Sequence, residues 1–270
     1  MALGTRRRSC GGRTQAILAD VLVNPAILLP FILIGFAAQL VDGALGMAFG
    51  TISSTLLVSM GVPPSVASAG VHTVETFTTA VSAISHVAHR NVHWPLFFRL
   101  VIPGVIGGVL GAYVLSNIHA ETARPLVLAY LLTIGSYLLW RGATHRHTER
   151  EPKIVEPLGL IGGFLDAAGG GGWGPVVASN LLVQGSSPRM TVGTVNTAEF
   201  FLAVAISITF LFTLGLEAAT VATLGLLIGG VTAAPIGALV ARRMPADRML
   251  VLVGIVLIAT SGYGLFKFLR

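Results

Sequence analysis

The chain has 270 residues, of which 54% are hydrophobic and only 10% are charged, and its mean hydropathy is +0.83. Soluble globular domains carry about 25% charged residues, so this composition excludes a soluble domain and indicates an integral membrane protein. The net charge of +6 comes from basic residues scattered between apolar runs, which does not favour nucleic acid as a partner. The single cysteine, Cys10, excludes an intrachain disulfide and a cysteine metal cluster.

Residues 1–24 form an N-terminal stretch that contains Arg6, Arg7 and Arg8. No short apolar region with a small-residue cleavage site follows, so we interpret 1–24 as a retained cytoplasmic tail rather than a signal peptide. Beyond it, apolar runs long enough to cross about 30 Å of hydrocarbon recur along the chain. They predict an all-α polytopic membrane protein of about eight to ten helical segments. The runs lie at 26–44, 46–60, 65–88, 95–117, 122–141, 157–168, 172–184, 188–213, 217–241 and 247–268.

A shift of 124 residues aligns the two halves of the chain without a gap from Gly35 to Phe77, which predicts two tandem homologous repeats. The identical pairs are Asp42 and Asp166, Gly46 and Gly170, Gly50 and Gly174, Gly61 and Gly185, Pro64 and Pro188, Thr73 and Thr197, Glu75 and Glu199, and Phe77 and Phe201. His72 falls on Asn196 and Phe49 on Trp173, and a shift of 126 aligns Tyr137 with Tyr263. We therefore expect a first membrane repeat at 25–141, a polar linker at 142–156 and a second membrane repeat at 157–270.

The orientation of the halves follows from Lys and Arg, which prefer the cytoplasmic side. If the first two segments of each half make one broken crossing, the tail, the 90–99 loop, the linker and the C-terminus share one side. That side then holds about twelve of the 17 Lys and Arg residues. The count favours two halves in the same orientation, whereas a re-entrant first hairpin or inverted repeats would change the parity.

Each half contains a glycine-rich interruption, at 42–50 and at 166–175, inside an otherwise apolar run. Glycine costs about 1 kcal/mol relative to alanine in a helix, so we expect a broken or re-entrant helix in each half. Corresponding interruptions in two halves are typical of a transport site near the membrane midplane, and helix N-termini there favour an anion. The alternative is that these glycines only permit close helix packing.

Four acidic residues lie within the predicted spans, and they form two repeated pairs: Asp42 with Asp166 and Glu75 with Glu199. A charge at the centre of a spanning helix costs about 2.5–3.5 kcal/mol on insertion scales, so such residues usually face the protein interior. We expect a role in proton coupling or gating, with Arg189 as the nearby basic residue. The two aspartates could instead satisfy backbone donors that the helix breaks leave free.

Polar residues at helical spacing form a stripe along the third segment: His72, Glu75, Thr79, Ser82 and His86. The second half keeps polarity only at Asn196 and Glu199, so these residues with His72 and Glu75 define a central layer. Gln39 adds a neutral polar group beside the first break. His86, His89 and His93 lack acidic or cysteine partners, so we predict an interfacial or gating role and no metal site.

The twin segments FAAQLVDGALGMAFG and GGFLDAAGGGGWGPVVASNLL, continued by GVPPSVASAGVHTVETFTTAVSAISH and GSSPRMTVGTVNTAEFFLAVAISITF, resemble those of the TauE/SafE sulfite exporter family. The resemblance covers about residues 26–268. It implies a multi-pass protein of the bacterial cytoplasmic (inner) membrane that carries small sulfur-containing anions such as sulfite, sulfoacetate or related sulfonates. The family pattern also places the His72 and Asn196 layer near the site.

These observations together predict a secondary transporter, not an enzyme, that exports its anion by alternating access between the two repeats. The predicted substrate-binding residues are Gln39, Gly46, His72, Thr73, Gly170, Trp173, Asn196 and Thr197. An anion channel and an intramembrane enzyme are the alternatives. We expect no cofactor, membrane lipid as the surroundings, and a small anion as the ligand, with a homodimer left open by the small residues at 104–111. The exact anion and the coupling ion are not specified by these patterns.

Overall fold

A computed structural model of the protein describes residues 25–45, 47–144, 151–178, 180–181, 184–215, 221–241 and 246–270. All regular structure in these ranges is helical, which confirms the all-α prediction. A 3-10 turn at Pro25–Leu28 precedes the first helix, and a π-helical turn occupies Trp173–Ala178. The α-helices are α1 (Leu29–Leu45), α2 (Phe49–Ser59), α3 (Pro64–Ala88), α4 (Trp94–Asn117), α5 (Ala120–Thr144), α6 (Glu156–Gly169), α7 (Pro188–Leu214), α8 (Val221–Ala241) and α9 (Ala246–Leu269).

The helix bounds agree with the sequence prediction to within a few residues in most segments. The exception is the segment predicted at 172–184, of which the structure describes only the six-residue π-helical turn and a short helical piece at 180–181. α5 continues to Thr144 and α6 begins at Glu156, so helices reach both ends of the predicted linker. Residues 145–150 of the linker and the predicted tail at 1–24 lie outside the described ranges.

The apolar surface of the helices is that of a protein surrounded by lipid. In the described part of the chain, α4, α5 and the Met190–Leu214 part of α7 are each long and apolar enough to cross a membrane. On α3, Val81 and Ile84 are 70% and 72% exposed, whereas His72 and Glu75 are 0% and 4% exposed. The polar stripe of α3 therefore faces the protein interior, as predicted, and its apolar side faces outward.

Corresponding helices of the two halves run in opposite directions. α3 and α7 are antiparallel, because Thr76 Oγ1 lies 3.4 Å from Ser207 Oγ and the later Ser82 Oγ lies 3.4 Å from the earlier Asn196 Nδ2. α5 and α9 correspond under the shift of 126, and they are antiparallel as well. Their contacts pair Leu128 with Gly264, and Leu257 with Gly135.

The first two segments of the chain form a hairpin whose tip lies in the middle of the helix bundle. α1 runs parallel to α8, since Phe31 contacts Gly225 and Gln39 lies near Gly230. α8 in turn runs parallel to α3, where Gly70 contacts Thr223. α2 begins at Phe49, which lies near Glu75 in the middle of α3. It ends at Ser59, just before α3 begins, so α2 runs antiparallel to both α1 and α3.

This hairpin overturns the orientation expected from the count of basic residues. That count assumed one broken crossing by the first two segments and therefore an even number of crossings per half. A hairpin that enters and returns adds no net crossing, and α3, α4 and α5 follow it as the three long helices of the first half. The antiparallel arrangement of α3 with α7 contradicts the orientation that the count favoured and agrees with the alternative of a re-entrant first hairpin.

The close contacts between α1 and α8 reappear between α6 and α4. A Cβ atom on Gly35 would lie within 3 Å of the backbone of Leu226, and a Cβ atom on Gly159 would lie 2.9 Å from the carbonyl oxygen of Leu100. Gly35 corresponds to Gly159 under the shift of 124, and Leu100 corresponds to Leu226 under the shift of 126. Small residues at these positions bring two helix backbones into direct contact, which is the usual route to tight packing in membranes.

Candidate functional site

The tips of the two glycine-rich segments meet at the centre of the molecule. A Cβ atom on Gly50 would lie 3.0 Å from Gly171 Cα, and one on Gly171 would collide with the backbone of Gly50 and Thr51. Under the shift of 124, Gly50 corresponds to Gly174 and Met47 to Gly171, and Gly174 contacts Met47 in the same way. The glycines therefore both interrupt the helices and permit close backbone contact.

Asp42 and Asp166 each cap the helical segment that follows the break. The backbone N–H of Phe49 donates to Asp42 Oδ1 at 3.3 Å, and that of Trp173 donates to Asp166 Oδ1 at 2.9 Å. Both aspartates thus satisfy a backbone donor seven residues later, which the helix break would otherwise leave without an acceptor. This confirms the structural role considered for the pair, and it leaves Asp166 Oδ2 available for a second interaction.

Asp166 makes that second interaction with His72, across the boundary between the two halves. His72 Nε2 lies 3.1 Å from Asp166 Oδ2 and 3.9 Å from Glu75 Oε2. The other ring nitrogen, Nδ1, lies 2.8 Å from the carbonyl oxygen of Ser68. The side chains of His72, Asp166 and Glu75 are at most 5% exposed, so this is a buried cluster of ionisable groups.

Glu75 and Glu199 lie in the same acidic layer. Glu75 is within electrostatic range of Asp166, Glu199 and Asp42, and it accepts a hydrogen bond from the backbone of Gly50. Its second oxygen, Oε2, is buried without a hydrogen-bond partner. Gln39 Oε1 is also buried without one, beside the first break.

The remaining predicted binding residues are bonded within the protein. Thr73 is partly buried, whereas Thr197 and Asn196 are 3% and 7% exposed. The hydroxyl groups of Thr73 and Thr197 donate to the carbonyl oxygens of Ala69 and Gly193, at 2.7 and 2.6 Å, so their protons are used inside their own helices. Asn196 donates to Ser82, which lies ten residues, or about 15 Å along α3, from His72. The structure therefore does not bring Asn196 beside His72, as the predicted central layer required.

Trp173 lies fully buried against α4 and α7. Its indole Nε1 donates to the carbonyl oxygen of Val195 at 3.1 Å, and its ring covers Gly104. Phe49, the corresponding residue, covers Gly230 in the same way. Gly170, with φ of 71°, adjoins Ser54 and Ser68.

Two predicted site residues cannot be placed in this cluster. Gly46 lies outside the described residues. Arg189 belongs to the first turn of α7, and its side chain is likewise outside the described part.

The chain is similar in sequence to known membrane transport proteins. The family model for "Sulfite exporter TauE/SafE" matches residues 31–264. The chain belongs to this family. It is 44% identical to "Probable membrane transporter protein YtnM" of Bacillus subtilis, over 84% of this chain and 79% of that protein. It is 29% identical to "Sulfite exporter TauE/SafE family protein 3" of Arabidopsis thaliana, over 36% of this chain and 21% of that protein. No solved structure was found to match.

Three residues that contact the second glycine-rich segment of this TauE/SafE protein were not predicted from the sequence. The hydroxyl of Ser54 donates to the carbonyl oxygen of Gly170, and that of Ser68 donates to Ala167 at 2.7 Å. The phenol of Tyr130 donates to Gly171 at 3.3 Å. The position of Ser68, one helical turn before His72, was the available signal, whereas Tyr130 lies in an apolar helix with no pattern to single it out.

A separate apolar cavity of about 220 Å³ lies between α4, α5 and α6. Its lining includes Leu115, Val127, Tyr130 and Phe164, and it contains almost no polar surface. An anion would lose its hydration there without gaining hydrogen bonds, so the central layer is the better candidate site. Within the described ranges, no group of three His, Cys, Asp or Glu side chains is arranged to hold a metal ion.

Proposed function

We propose that this TauE/SafE protein is a secondary transporter for small sulfur-containing anions, such as sulfite, sulfoacetate or related sulfonates, in the bacterial cytoplasmic membrane. The observation that carries the proposal is the meeting of the two glycine-rich tips beside buried His72, Glu75 and Asp166. Irregular backbone at membrane depth is tolerated where it is buried in protein or lines a path. The family membership and the printed names of the relatives support membrane transport.

The two halves are proposed to be homologous inverted repeats, at 25–141 and 157–270, that rock against each other. Support comes from the antiparallel arrangement of α3 with α7 and of α5 with α9. The repeated contacts, Gly50 with Gly171 and Gly174 with Met47, support a pseudo-two-fold relation at the tips. In inverted repeats, exchanging the conformations of the two halves exposes a central site first to one side and then to the other.

The anion is proposed to bind in the central layer beside the two glycine-rich tips, close to the predicted residues Gln39, His72 and Gly170. This layer also holds four carboxyl groups, so an anion can enter only where protons or donors offset their charge. Glu75 and Glu199 are the proposed proton-coupling residues, with Asp42 and Asp166 serving the helix breaks as well. Export is the proposed direction, as the family description suggests.

Flux measurements in proteoliposomes test the transporter proposal. Labelled sulfite, sulfoacetate, taurine and sulfate are offered with and without a pH gradient, and an unlabelled anion is then placed inside the vesicles. A transporter gives saturable uptake that the internal anion accelerates, whereas a channel gives flux that internal anion does not accelerate. Flux of none of the sulfur-containing anions would contradict the substrate assignment.

The glutamate variants Glu75→Gln and Glu199→Gln test the coupling proposal in the same vesicles. Each variant keeps the size and hydrogen-bonding capacity of the side chain but removes its ability to carry a proton. We expect anion exchange to persist while acceleration by a pH gradient is lost in at least one variant. An unchanged pH dependence in both variants removes the glutamates as proton carriers.

A further inference from the structure

The hydrogen bonds of His72 determine which of its ring nitrogens carries a proton. Nδ1 lies 2.8 Å from the carbonyl oxygen of Ser68, and a carbonyl oxygen only accepts hydrogen bonds. The Ser68 hydroxyl lies 2.7 Å from the carbonyl oxygen of Ala167, so the hydroxyl proton is used there. Nδ1 therefore carries a hydrogen and donates it to Ser68, a contact that also fixes the orientation of the ring.

The fixed ring leaves one proton between His72 and Asp166. Nε2 lies 3.1 Å from Asp166 Oδ2, and without a proton both atoms would present lone pairs to each other. The proton resides either on the nitrogen, as an ion pair, or on the carboxyl oxygen, as a neutral pair. In both cases His72 and Asp166 together bind one proton as a unit.

The groups around this pair make its net charge important for an anion. Glu75 approaches Nε2 from the same helix at 3.9 Å, with its Oε2 lacking a hydrogen-bond partner. Asp42 from α1 and Glu199 from α7 are electrostatic neighbours in the layer, and Tyr130 from α5 lies near Asp166. Each of these described groups is neutral or negative, so adding a proton to the pair lowers the repulsion that an incoming anion meets.

The second half has no equivalent proton-binding pair. The positions that correspond to Ser54, Ser68 and His72 are Ala178, Val192 and Asn196. Alanine and valine offer no hydroxyl, and the asparagine amide does not bind a proton at physiological pH. The titratable link between halves therefore exists on one side of the pseudo-symmetric molecule.

We propose that His72 and Asp166 form a single proton-binding site that ties α3 to α6, and that the anion binds to the form in which this pair holds its proton. Because binding linkage is reciprocal, the proton in turn strengthens anion binding, and the two enter the transport cycle together. The second part of the inference rests on the proposed function, whereas the proton site itself does not.

A ligand-free experiment tests the proton site. Full-length protein and His72→Asn, which copies the residue at 196, are purified in detergent, and thermal unfolding is followed from about pH 5 to about pH 9. The contact between Nε2 and Oδ2 is a hydrogen bond only while a proton lies between them, so the stability that it adds is present at low pH and lost as pH rises. We expect the difference in melting temperature between the two proteins to shrink toward high pH.

The matched control for that experiment is His89→Asn, which removes an exposed histidine next to the same helix. Its difference from the parent protein should be nearly independent of pH. If His72→Asn fails to fold, His72→Gln supplies an amide that still donates to Asp166 and takes its place. A difference between the parent and the His72 variant that is equal at every pH overturns the proton site.

Calorimetry tests the link to the anion. Sulfoacetate, which is fully ionised near neutral pH, is titrated into the parent protein and His72→Asn in two buffers of different ionisation enthalpy. The titration is done at the pH at which the melting experiment shows that the pair has released its proton. The buffer dependence of the heat counts protons taken up, and we expect about one more for the parent protein than for the variant. Equal uptake by both proteins overturns the linkage. Absence of sulfoacetate binding counts against the proposed substrate and also overturns the linkage, while the melting experiment still decides the proton site.

Discussion

The two halves have corresponding residues beside the glycine-rich segments, but the hydrogen bonds that these residues make are different. In the first half, Ser54, Ser68 and His72 all contact the end of α6 and the glycines that follow it. In the second half, Ala178 and Val192 replace the two serines. Because α3 and α7 run in opposite directions, corresponding contacts lie toward opposite ends of the bundle. The two halves therefore share the backbone contact between their glycine-rich tips but differ in the side chains around it.

The largest expected effect tests the backbone contact that the halves share. Gly171→Ala places a Cβ atom into the backbone of Gly50 and Thr51, at a φ of 144° that residues other than glycine rarely adopt. Since backbone atoms cannot move aside as a flexible side chain can, we expect the free energy of unfolding to fall by more than about 3 kcal/mol. Thermal unfolding in detergent measures the change.

The matched control for Gly171→Ala is Gly262→Ala, in α9. A Cβ atom on Gly262 meets nothing within 4 Å, so alanine there should be neutral or should stabilise the helix by up to about 1 kcal/mol. Equal destabilisation by both changes would show that the contact between the tips contributes nothing specific.

Ala48 is the next point at which the halves differ. It has a φ of 108°, whereas glycine stands at the corresponding position, 172. A left-handed conformation costs a residue with a Cβ atom roughly 1–2 kcal/mol, so Ala48→Gly should raise stability by about 1 kcal/mol. The reverse change, Gly172→Ala, should destabilise the protein, because its Cβ atom would collide with the hydroxyl of Tyr130. A loss of stability in Ala48→Gly would contradict the strain at this break.

The hydrogen-bonded contacts of the first half predict a smaller effect. Ser68→Ala leaves the carbonyl oxygen of Ala167 without its donor and should cost about 1 kcal/mol. It should also make the contact between α3 and α6 open more often. The rate at which a cysteine introduced at this contact is labelled, in a Cys10→Ser background, measures the opening. Val192→Ser, at the corresponding position, is the control and should leave labelling at the contact between α3 and α6 unchanged. Equal labelling of Ser68→Ala and the parent protein would contradict a role for Ser68 in closing this side.

The helices and the two breaks could be predicted from the sequence. Apolar runs and glycine interruptions indicated them, because a backbone in lipid must satisfy its own hydrogen bonds and is therefore helical. Placing His72 beside Glu75 required only helical spacing. Its bond to Asp166 joins residues 94 positions apart and depends on how the halves pack, which no local pattern specifies.

The orientation of the halves could not be predicted from the sequence, because it depends on how many times each half crosses the membrane. Counting Lys and Arg needs the number of crossings, and α1 and α2 are too similar in composition to a crossing for a hairpin to be recognised. Only the contacts of Gly50 with Gly171, and of Glu75 with the start of α2, show that the chain turns back. Basic residues report on the side of a loop once the crossings are known, and they do not by themselves determine the crossings.

The smallest expected effect concerns an ion pair that one interface between the halves has and the corresponding interface lacks. Arg99 Nε donates to Glu156 Oε1 at 2.5 Å between α4 and α6, and the corresponding residues between α8 and α1 are Gly225 and Ile32. Both charged side chains are about half exposed, so water and salt compete with the pair, and Arg99→Gln should leave the melting temperature unchanged within error. Gly225→Ala, in contrast, should destabilise, because its Cβ atom would collide with Phe31. A large loss in Arg99→Gln would mean that the ion pair, rather than glycine-mediated packing, joins α4 to α6. Since the glycine contacts recur in both halves and the ion pair does not, we expect packing to carry the stability of both interfaces.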